Sequence, residues 1–544
     1  LLTLLFFVKH AALLVAILAA AAGAGTLVLG QRESLAIRSA LGLVVWGEAL
    51  FLLAAGGWLH GAAIGLLFVV TIAGGIVRGL RIPRPAWFVA IATALFLVAL
   101  QPPMAFDETM YHLPFVRSLA ESGQLRFLGA LRFPAFPQLH ELLCVPVYLV
   151  AGDTATHLVS LAEMLIATGV VAAWARRFDA RAAALAAALF LGSPIVLHLG
   201  TILYVDTALL LFVVAGFSCL FEDEQRQRPA LAGLFFGAAC SVKYLGGYFA
   251  IAALVMVFVM RRRQTLVFAA AAFVAALPTY LWLTLTTGNP LFPFAARVFG
   301  RNPWTLDAEL LGGGRYVDML RVPWDVTFAR ARMNQQPPVT PLLIGMLLLV
   351  AAAVLRDWRA RALVVMSAIY LAIFTSLPQD TRYLLPLLPL FCVGAATVIV
   401  RRWPRWVLLV TIVAILPGLA YAGYRHVLLG MPPVTPGARE EVLALRVPGY
   451  RALQRAGTAS VYVCRDERLM YHARGPLLGD FFGPHSYARV LDSPGPVTVS
   501  ERLHGLGVEY LLVIRHACDN HRLTGQFALV YEDDSAQLFR VQRR

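Results

Sequence analysis

Four short stretches of this 544-residue chain hold residue types that could do chemistry together. QPPMAFDETMYHLPF places Asp107 and Glu108 side by side at the mouth of the apolar run AWFVAIATALFLVAL, with Tyr111 and His112 just behind them. LGTILYVDTALLLF puts Asp206 at the start of another apolar run. GAACSVKYLGGYF sets Lys243 and Tyr244 between two half-length runs, and LPQDTRYLLPLLPL carries Arg382 and Tyr383. A carboxylate on a short loop, partly shielded from water, can take a proton from a hydroxyl. A Lys and an Arg at a membrane surface suit an anionic headgroup such as a lipid phosphate. Each residue also has a plain structural reading. Asp107 or Glu108 could cap the helix that begins near Thr109, and Asp206 could cap its own helix. The two cations could be interfacial anchors with snorkelling stems. Asp107 and Asp206 could also share a divalent cation, since no His or Cys cluster offers another metal site.

Composition says what carries these residues. Hydrophobic residues make up 59% of the chain and charged ones 14%, against about 25% charged in a soluble domain. Apolar runs of about 18 or more residues recur as far as roughly residue 425, each long enough for a hydrocarbon core of ~30 Å. The chain therefore reads as a polytopic α-helical membrane protein with about 13 or 14 transmembrane helices. The expected spans are 11–30, 38–56, 58–77, 85–101, 154–174, 180–196, 205–221, 229–242, 245–260, 265–286, 339–355, 362–376, 382–400 and 406–424. The chain begins without Met on an apolar segment interrupted by Lys9 and His10. We read it as a first spanning helix rather than a cleaved signal peptide.

The net charge of +15 does not mark a nucleic-acid binder, because its placement follows the loops. Arginines gather at 78–84, 176–181, 226–228, 261–263, 356–361 and 401–405, between apolar runs. If the spans alternate, these loops share one face, which the excess of positive charge makes cytoplasmic. The other face then receives loop 102–152, Asp206, Lys243, loop 287–338, Arg382 and everything beyond about 425. Of 46 basic residues only Lys9 and Lys243 are lysines, which singles out Lys243 further.

The tail, 425–544, changes character to a small extracytoplasmic α/β domain. ASVYVC reads as a strand, RDERLMYHA and VTVSERLHGLG as helices, VEYLLVIR as a buried strand, and FALVYEDDSAQLFRVQ as a hairpin. Cys464 and Cys518 each lie at or just past a strand end in a compartment where disulfides persist, so they are a candidate bridge. Cys144, Cys219, Cys240 and Cys392 have no metal-ligand spacing and read as packing residues. There is no Walker A motif, dinucleotide fingerprint, HExxH or paired CxxC, and no internal repeat of the kind that builds many transporters.

FDETMYHLPF, FPQLHELL, LYVDTALLLF, LAGLFFGAACSVKYLGGY, TGNPLFPFAARVFG and RYLLPLLPL follow one another in that order within roughly residues 85–400. In this ordered set the chain resembles the GT-C glycosyltransferases, specifically the bacterial aminoarabinose transferase and protein O-mannosyltransferase group (glycosyltransferase family 39-like). The resemblance implies additional N-terminal helices at 1–84, a GT-C-like catalytic core at 85–424, and the α/β domain at 425–544. It implies transfer of a sugar from a polyprenyl-phosphate donor, usually with inversion, to a lipid, glycan or protein acceptor. The site and the C-terminal domain would face the periplasm or outside of a bacterial inner membrane. The catalytic acidic position of the first outer loop falls on Asp107, the aromatic four residues on falls on Tyr111, and the second acidic position on Asp206. Phosphate-binding positions fall on Lys243, Arg382 and Tyr383, with Tyr244 and His112 beside the site. Glu108 stays open as a neighbour, a metal ligand or a first-turn acid. The chain departs from the aminoarabinose enzymes at Met110, where they carry a basic residue, so donor sugar and acceptor stay open. The long loop 287–338 is expected to act as a lid, its bland alternative being an interfacial segment. Competing readings are an oligosaccharyltransferase or ligase of a preassembled lipid-linked glycan, and a lipid transporter or flippase. A divalent cation is the one cofactor left open, and no nucleic-acid partner is expected.

Overall fold

Long stretches without charge have one stable form in a bilayer, since only helices satisfy every backbone group internally. The computed structural model describes residues 2–80, 86–221, 227–305, 321–354, 357–375, 377–464, 466–479, 490–491, 498–515, 518 and 527–541. Its helices begin with α1 (Leu2–Leu29), α2 (Leu35–Ala55), α3 (Gly61–Val77) and α4 (Ala86–Ala99), then α5 (Leu113–Ser122) and α6 (Leu139–Ala151) in the first long loop. There follow α7 (His157–Arg176), α8 (Ala182–Leu191), α9 (Pro194–Leu199), α10 (Asp206–Leu220), α11 (Pro229–Val242), α12 (Leu245–Arg261) and α13 (Thr265–Thr287). The second long loop holds α14 (Ala296–Phe299) and α15 (Val322–Phe328), before α16 (Leu343–Ala353), α17 (Trp358–Phe374), α18 (Leu388–Arg402) and α19 (Val407–Leu429). Every expected span falls on a helix. Among the described residues, six stretches are both long and apolar enough to cross a membrane, with shorter apolar helices between them. The chain is a multi-pass membrane protein.

The expected 180–196 span is interrupted at Gly192 and Ser193, giving α8 and α9. α11 stops at Val242 because Lys243 is extended (φ −160°, ψ 142°). α12 restarts two residues later, and Gly246 lets it turn there: a Cβ on Gly246 would lie 2.3 Å from the Ala239 carbonyl oxygen. The same device joins α11 to α13, where Cβ atoms on Gly233 and Gly237 would come within 2.3 Å of the Phe268 and Ala272 carbonyls. One hydrophobic core runs from Leu14 in α1 through α19 and includes Tyr471 of the tail. The N-terminal helices therefore pack into the same core as the segment at 85–424. α5 is amphipathic, burying Leu113, Phe115, Val116 and Leu119, and stops at Gly123 in the left-handed region (φ 67°).

The tail folds as α20 (Pro436–Arg446), α21 (Tyr450–Ala456), α22 (Val499–Gly505) and five strands: β1 (Val461–Cys464), β2 (Leu477–Gly479), β3 (Tyr510–Ile514), β4 (Ala528–Glu532) and β5 (Ala536–Arg540). The sheet order is β2-β1-β3-β5-β4. β1 runs parallel to β2 and β3, while β5 is antiparallel to β3 and β4. Cys464 and Cys518 form the disulfide, with Cα atoms 6.1 Å apart. α22 opens on a capping box between Thr498 and Glu501. One expectation fails: RDERLMYHA is not a helix, and its described part holds a single 3₁₀ turn at Glu467–Leu469. Asp466 accepts from the Arg468 N–H (3.1 Å) and its side chain (2.9 Å), which closes a local turn. The Tyr471 N–H is drawn away to the Thr109 carbonyl (2.9 Å), across the boundary with the first loop.

Close α11–α13 packing makes a direct prediction. Gly237→Val forces a side chain onto a backbone carbonyl, and overpacking of this kind costs about 1–3 kcal/mol. A thermal melt of the purified protein in detergent should shift down by several degrees. Gly345→Ala, where nothing lies within 4 Å of the added Cβ, should leave the melt unchanged or raise it.

Candidate active site

Asp107 stands at the entrance of a π-helical turn, Glu108–His112, and its side chain makes no capping bond. Its Oδ2 instead accepts a hydrogen bond from Nη1 of Arg382 at 2.7 Å. The same Nη1 lies 3.5 Å from Oδ2 of Asp206. Arg382 also donates from Nε to Asp380 Oδ2 (3.0 Å), with Nη2 at 2.9 Å from that oxygen. Asp206 sits at the first position of α10 without capping it. Its Oδ1 accepts from Lys243 Nζ at 3.1 Å, while Oδ2 is buried and receives no hydrogen bond. Two rings complete the cluster: Arg382 lies 4.7 Å over Tyr204, and Lys243 4.7 Å over Tyr383. The Tyr204 hydroxyl accepts from the Asp107 N–H at 3.2 Å. Residues 275 positions apart are thus in direct contact.

Exposure separates the groups a substrate can reach from those it cannot. The Lys243 and Asp107 side chains are 24% and 16% exposed, that of Asp206 only 2%. Asp107 Oδ1 accepts no hydrogen bond among the described residues. Three carboxylates and two cations share the cluster. Between Asp107 and Asp206, where a divalent cation was an open expectation, the structure places the Arg382 guanidinium. Among the described residues no group of three or more His, Cys, Asp and Glu stands ready for a metal.

Glu108 does not join the cluster. It is fully buried, accepting from the Met104 and Ala105 N–H groups (2.9 Å each), the Leu203 N–H (3.0 Å), and pairing with His157. Burial alone would raise the Glu108 carboxyl, but the His157 imidazole and these backbone donors outweigh it and hold it below its usual range. Glu108 thereby ties the loop that presents Asp107 to the turn that precedes Asp206. His112 is also buried, its Nδ1 2.5 Å from Glu141 Oε1. Tyr111 packs edge-on against Phe133 and Phe136. The Tyr244 hydroxyl donates to the Phe292 carbonyl (2.6 Å), which anchors the second long loop. Glu108 and Tyr244 brace the site from outside the ion cluster, while Tyr111 feels the charges of Asp107 and Arg382, and His112 that of Asp206.

Sequence reasoning passed over Tyr204, Asp380 and a third buried pair, His140–Glu163 (2.9 Å), to which Thr207 donates at 2.7 Å. Ionisable residues inside apolar spans are costly and rarely idle; that was the available signal for His140, His157 and Glu163. Nothing marked Asp380 beyond its place two residues before Arg382.

Two peripheral segments reach the cluster. Asn334 donates to Asp380 Oδ2 at 2.9 Å, so one described end of loop 287–338 packs on the cluster, while at the other end Trp304 Nε1 donates to the Gly129 carbonyl of the first long loop at 3.0 Å. Residues 306–320 of that loop, with most of GGGRYVDMLRVPWD, lie outside the described residues. The C-terminal domain is clamped nearby: Arg117 donates to the Tyr471 carbonyl (2.8 Å) and lies 4.0 Å over its ring. Arg439 pairs with Asp153 at 2.6 Å. A cleft of about 850 Å³ separates the polar side of α5 from residues 470–478.

Comparison with known proteins gives consistent likenesses. Residues 147–286 match the family described as dolichyl-phosphate-mannose-protein mannosyltransferase, and residues 438–540 match a family described as SF2091/S2213. An uncharacterized protein of Shigella flexneri, SF2093/S2215, is 34% identical over 140 residues, covering 25% of this chain and 69% of the relative. ArnT of Cupriavidus metallidurans, solved bound to undecaprenyl phosphate, is similar in fold with a TM-score of 0.56 at 14% identity. That likeness covers 84% of this chain and 98% of ArnT. Its apo crystal structure gives 0.55 at 16% identity, over 84% and 97%.

Removing the shared guanidinium leaves three carboxylates with Lys243 as the one cation of the cluster, and Lys243 reaches only Asp206. Breaking a buried ion pair by deleting one partner costs about 3–5 kcal/mol, so Arg382→Gln should lower the melting temperature sharply. Adding Asp206→Asn should restore part of the loss, because one of the three carboxylates is then gone. Melts of the single and double variants in one detergent check both statements.

Proposed function

We propose that this chain, whose residues 147–286 match the mannosyltransferase family and whose fold is similar to ArnT, is a GT-C membrane glycosyltransferase that moves a sugar from a polyprenyl-phosphate carrier to an acceptor hydroxyl. The reaction takes place at the extracytoplasmic face of a bacterial plasma membrane. One observation carries this reading: Asp107 is partly open, has a free oxygen, and sits one guanidinium away from the Asp206–Lys243 pair. The carrier chemistry is taken by analogy from ArnT of Cupriavidus metallidurans, which holds undecaprenyl phosphate. The orientation follows from the arginine-rich loops, which mark the cytoplasmic side.

In this mechanism Oδ1 of Asp107 takes the proton of the acceptor hydroxyl. The hydroxyl oxygen forms its bond to the anomeric carbon as the bond from that carbon to the phosphate oxygen breaks. The electron pair leaves on the phosphate, and a single displacement inverts the centre. Lys243, the more open cation, stabilises the growing phosphate charge. Arg382 keeps Asp107 aimed and holds Asp206 beside Lys243. Phosphate is a good leaving group, so no general acid is needed. The described ends of the loop at 287–338, at Trp304 and Asn334, serve as the base of a lid, and the acceptor approaches over the cleft between α5 and the C-terminal domain. A ligase of preassembled glycans would use the same groups; the size of the transferred unit distinguishes the two.

The test uses the purified full chain in nanodiscs with labelled undecaprenyl-phosphate sugars and a panel of acceptors. Asp107→Asn should reduce turnover by ~10²–10⁴-fold, the usual contribution of a general base, in a protein that stays folded because Arg382 keeps Asp380 and Asp206 beside it. Full activity in that variant would remove Asp107 as the base. Losing one charge-assisted contact to phosphate weakens binding about 10–100-fold. Lys243→Ala should therefore raise the donor KM by that order and leave the acceptor KM alone. An unmoved donor KM would take Lys243 out of the phosphate site.

A further inference from the structure

Arg382 meets Asp107 and Asp206 through Nη1, while its Nε and Nη2 both face Asp380 Oδ2. A guanidinium is a rigid plane, so whatever fixes its Nε–Nη2 edge also fixes where Nη1 points. Asp380 fixes that edge and the backbone behind it. Its Oδ1 accepts from the Arg382 N–H at 2.9 Å and caps the 3₁₀ turn Thr381–Leu387. Asp380 is itself buried.

A distant part of the chain holds Asp380 in turn. Asn334 Nδ2 donates to the same Oδ2 at 2.9 Å, and Gln336 Nε2 lies 3.5 Å from it. The turn that carries these two amides is strained. Asn334 and Gln335 both have φ of 53°, in the left-handed region, which Asn tolerates and most other side chains avoid. Such a backbone persists only where its surroundings over-determine it, and here they do. Arg330 donates from Nε to the Gln336 carbonyl (2.7 Å) and from Nη2 to the Gln335 carbonyl (2.8 Å). The Gln335 N–H returns to the Arg330 carbonyl at 2.9 Å, and the Pro338 carbonyl accepts from the Ile195 N–H at 3.2 Å. Met333 is buried in the main core. Strain kept in place on both sides of one side chain is a mark of function rather than of a connector.

We propose that Asn334 and Asp380 are positioning residues for the transfer reaction: Asn334 holds Asp380, and Asp380 holds the guanidinium that aims Asp107. Consecutive hydrogen bonds link 334 to 380, 380 to 382 and 382 to 107. The second long loop is thereby coupled to the carboxylate of the first. This role rests on the reading of Asp107 as the base.

The test uses the full chain in nanodiscs and two readouts. Hydrogen exchange followed by mass spectrometry reads segment 103–112 without any turnover. Asn334→Gly keeps the left-handed backbone and removes only the side-chain donor. It should speed exchange in that segment about threefold to tenfold, the size of one hydrogen bond, although no described hydrogen bond joins residue 334 to the segment directly. Gln335→Gly relaxes the turn but keeps the Asn334 amide, and should leave the segment as in wild type. In the transfer assay, Asn334→Gly should lower kcat about threefold to tenfold and Asp380→Asn about 10–100-fold. The donor KM should not move, since Lys243 keeps its pair with Asp206. Unchanged exchange at 103–112 in both Asn334→Gly and Asp380→Asn overturns the proposal, as does full kcat in both. An equal effect of Gln335→Gly assigns the effect to the turn's backbone and removes Asn334 from the role. A wild type that transfers no sugar sinks the transfer reading instead, and exchange then decides the coupling by itself. Asn334 is exposed, so its variant leaves the test standing if Asp380→Asn misfolds.

Discussion

One guanidinium organises the open end of this protein. Arg382 is hydrogen-bonded to Asp107 and Asp380 and lies within ion-pair distance of Asp206. Taking charges out of water costs several kcal/mol each, and mutual attraction offsets this only where the geometry is good and hydrogen bonds are complete. Here they are not quite complete, because Asp206 Oδ2 lacks a hydrogen bond. A cluster built for stability alone would do better with apolar residues. Its most open members are Lys243 and Asp107, which is the arrangement that the proposed transfer requires.

Such a cluster holds its shape only if the backbone around it is rigid. Beneath it lie three buried His–Glu pairs, at His112–Glu141, His140–Glu163 and His157–Glu108. Glu108 fastens the Asp107 loop to the turn before Asp206, and Thr207 hangs from Glu163. On the other flank Gly246 brings the Lys243 bend against Ala239 at backbone distance. The C-terminal domain adds a backbone bond from Tyr471 to Thr109, two residues from Asp107. Buried polar networks specify a unique arrangement where they are fully satisfied, as at Glu108, whereas Glu141 Oε2 is buried without a hydrogen bond.

The two ends of the bundle are electrostatically distinct. The acidic end neutralises its two cations with three carboxylates, so charge there is local and directional. At the other end Glu33 is shared by Arg177 and Arg228, and Arg181 pairs with Asp179. The same side-chain chemistry thus ties loops together at one end and builds a compact ion cluster at the other.

Helix placement was legible from the sequence, because a bilayer forces uncharged stretches into helices and the spacing of arginine loops orders them. So were the strands β1, β3, β4 and β5, whose apolar runs are bounded by polar turns, and Asp107, Asp206, Lys243 and Arg382, whose charges are costly where they stand. The partnership among these four was not legible, since ion pairing between residues 107 and 382 depends on how helices pack and not on local pattern. For the same reason Glu108 could not be told from Asp107 as a neighbour in sequence: a π-helical turn sends one carboxylate to Arg382 and the other inward to His157. RDERLMYHA failed as a helix because its backbone found a distant acceptor. The sequence by itself determined that charge would be confined to the two membrane faces, because solvation energy is a property of each residue alone. Only the tertiary structure decided which charges meet, because hydrogen-bond geometry is a property of pairs.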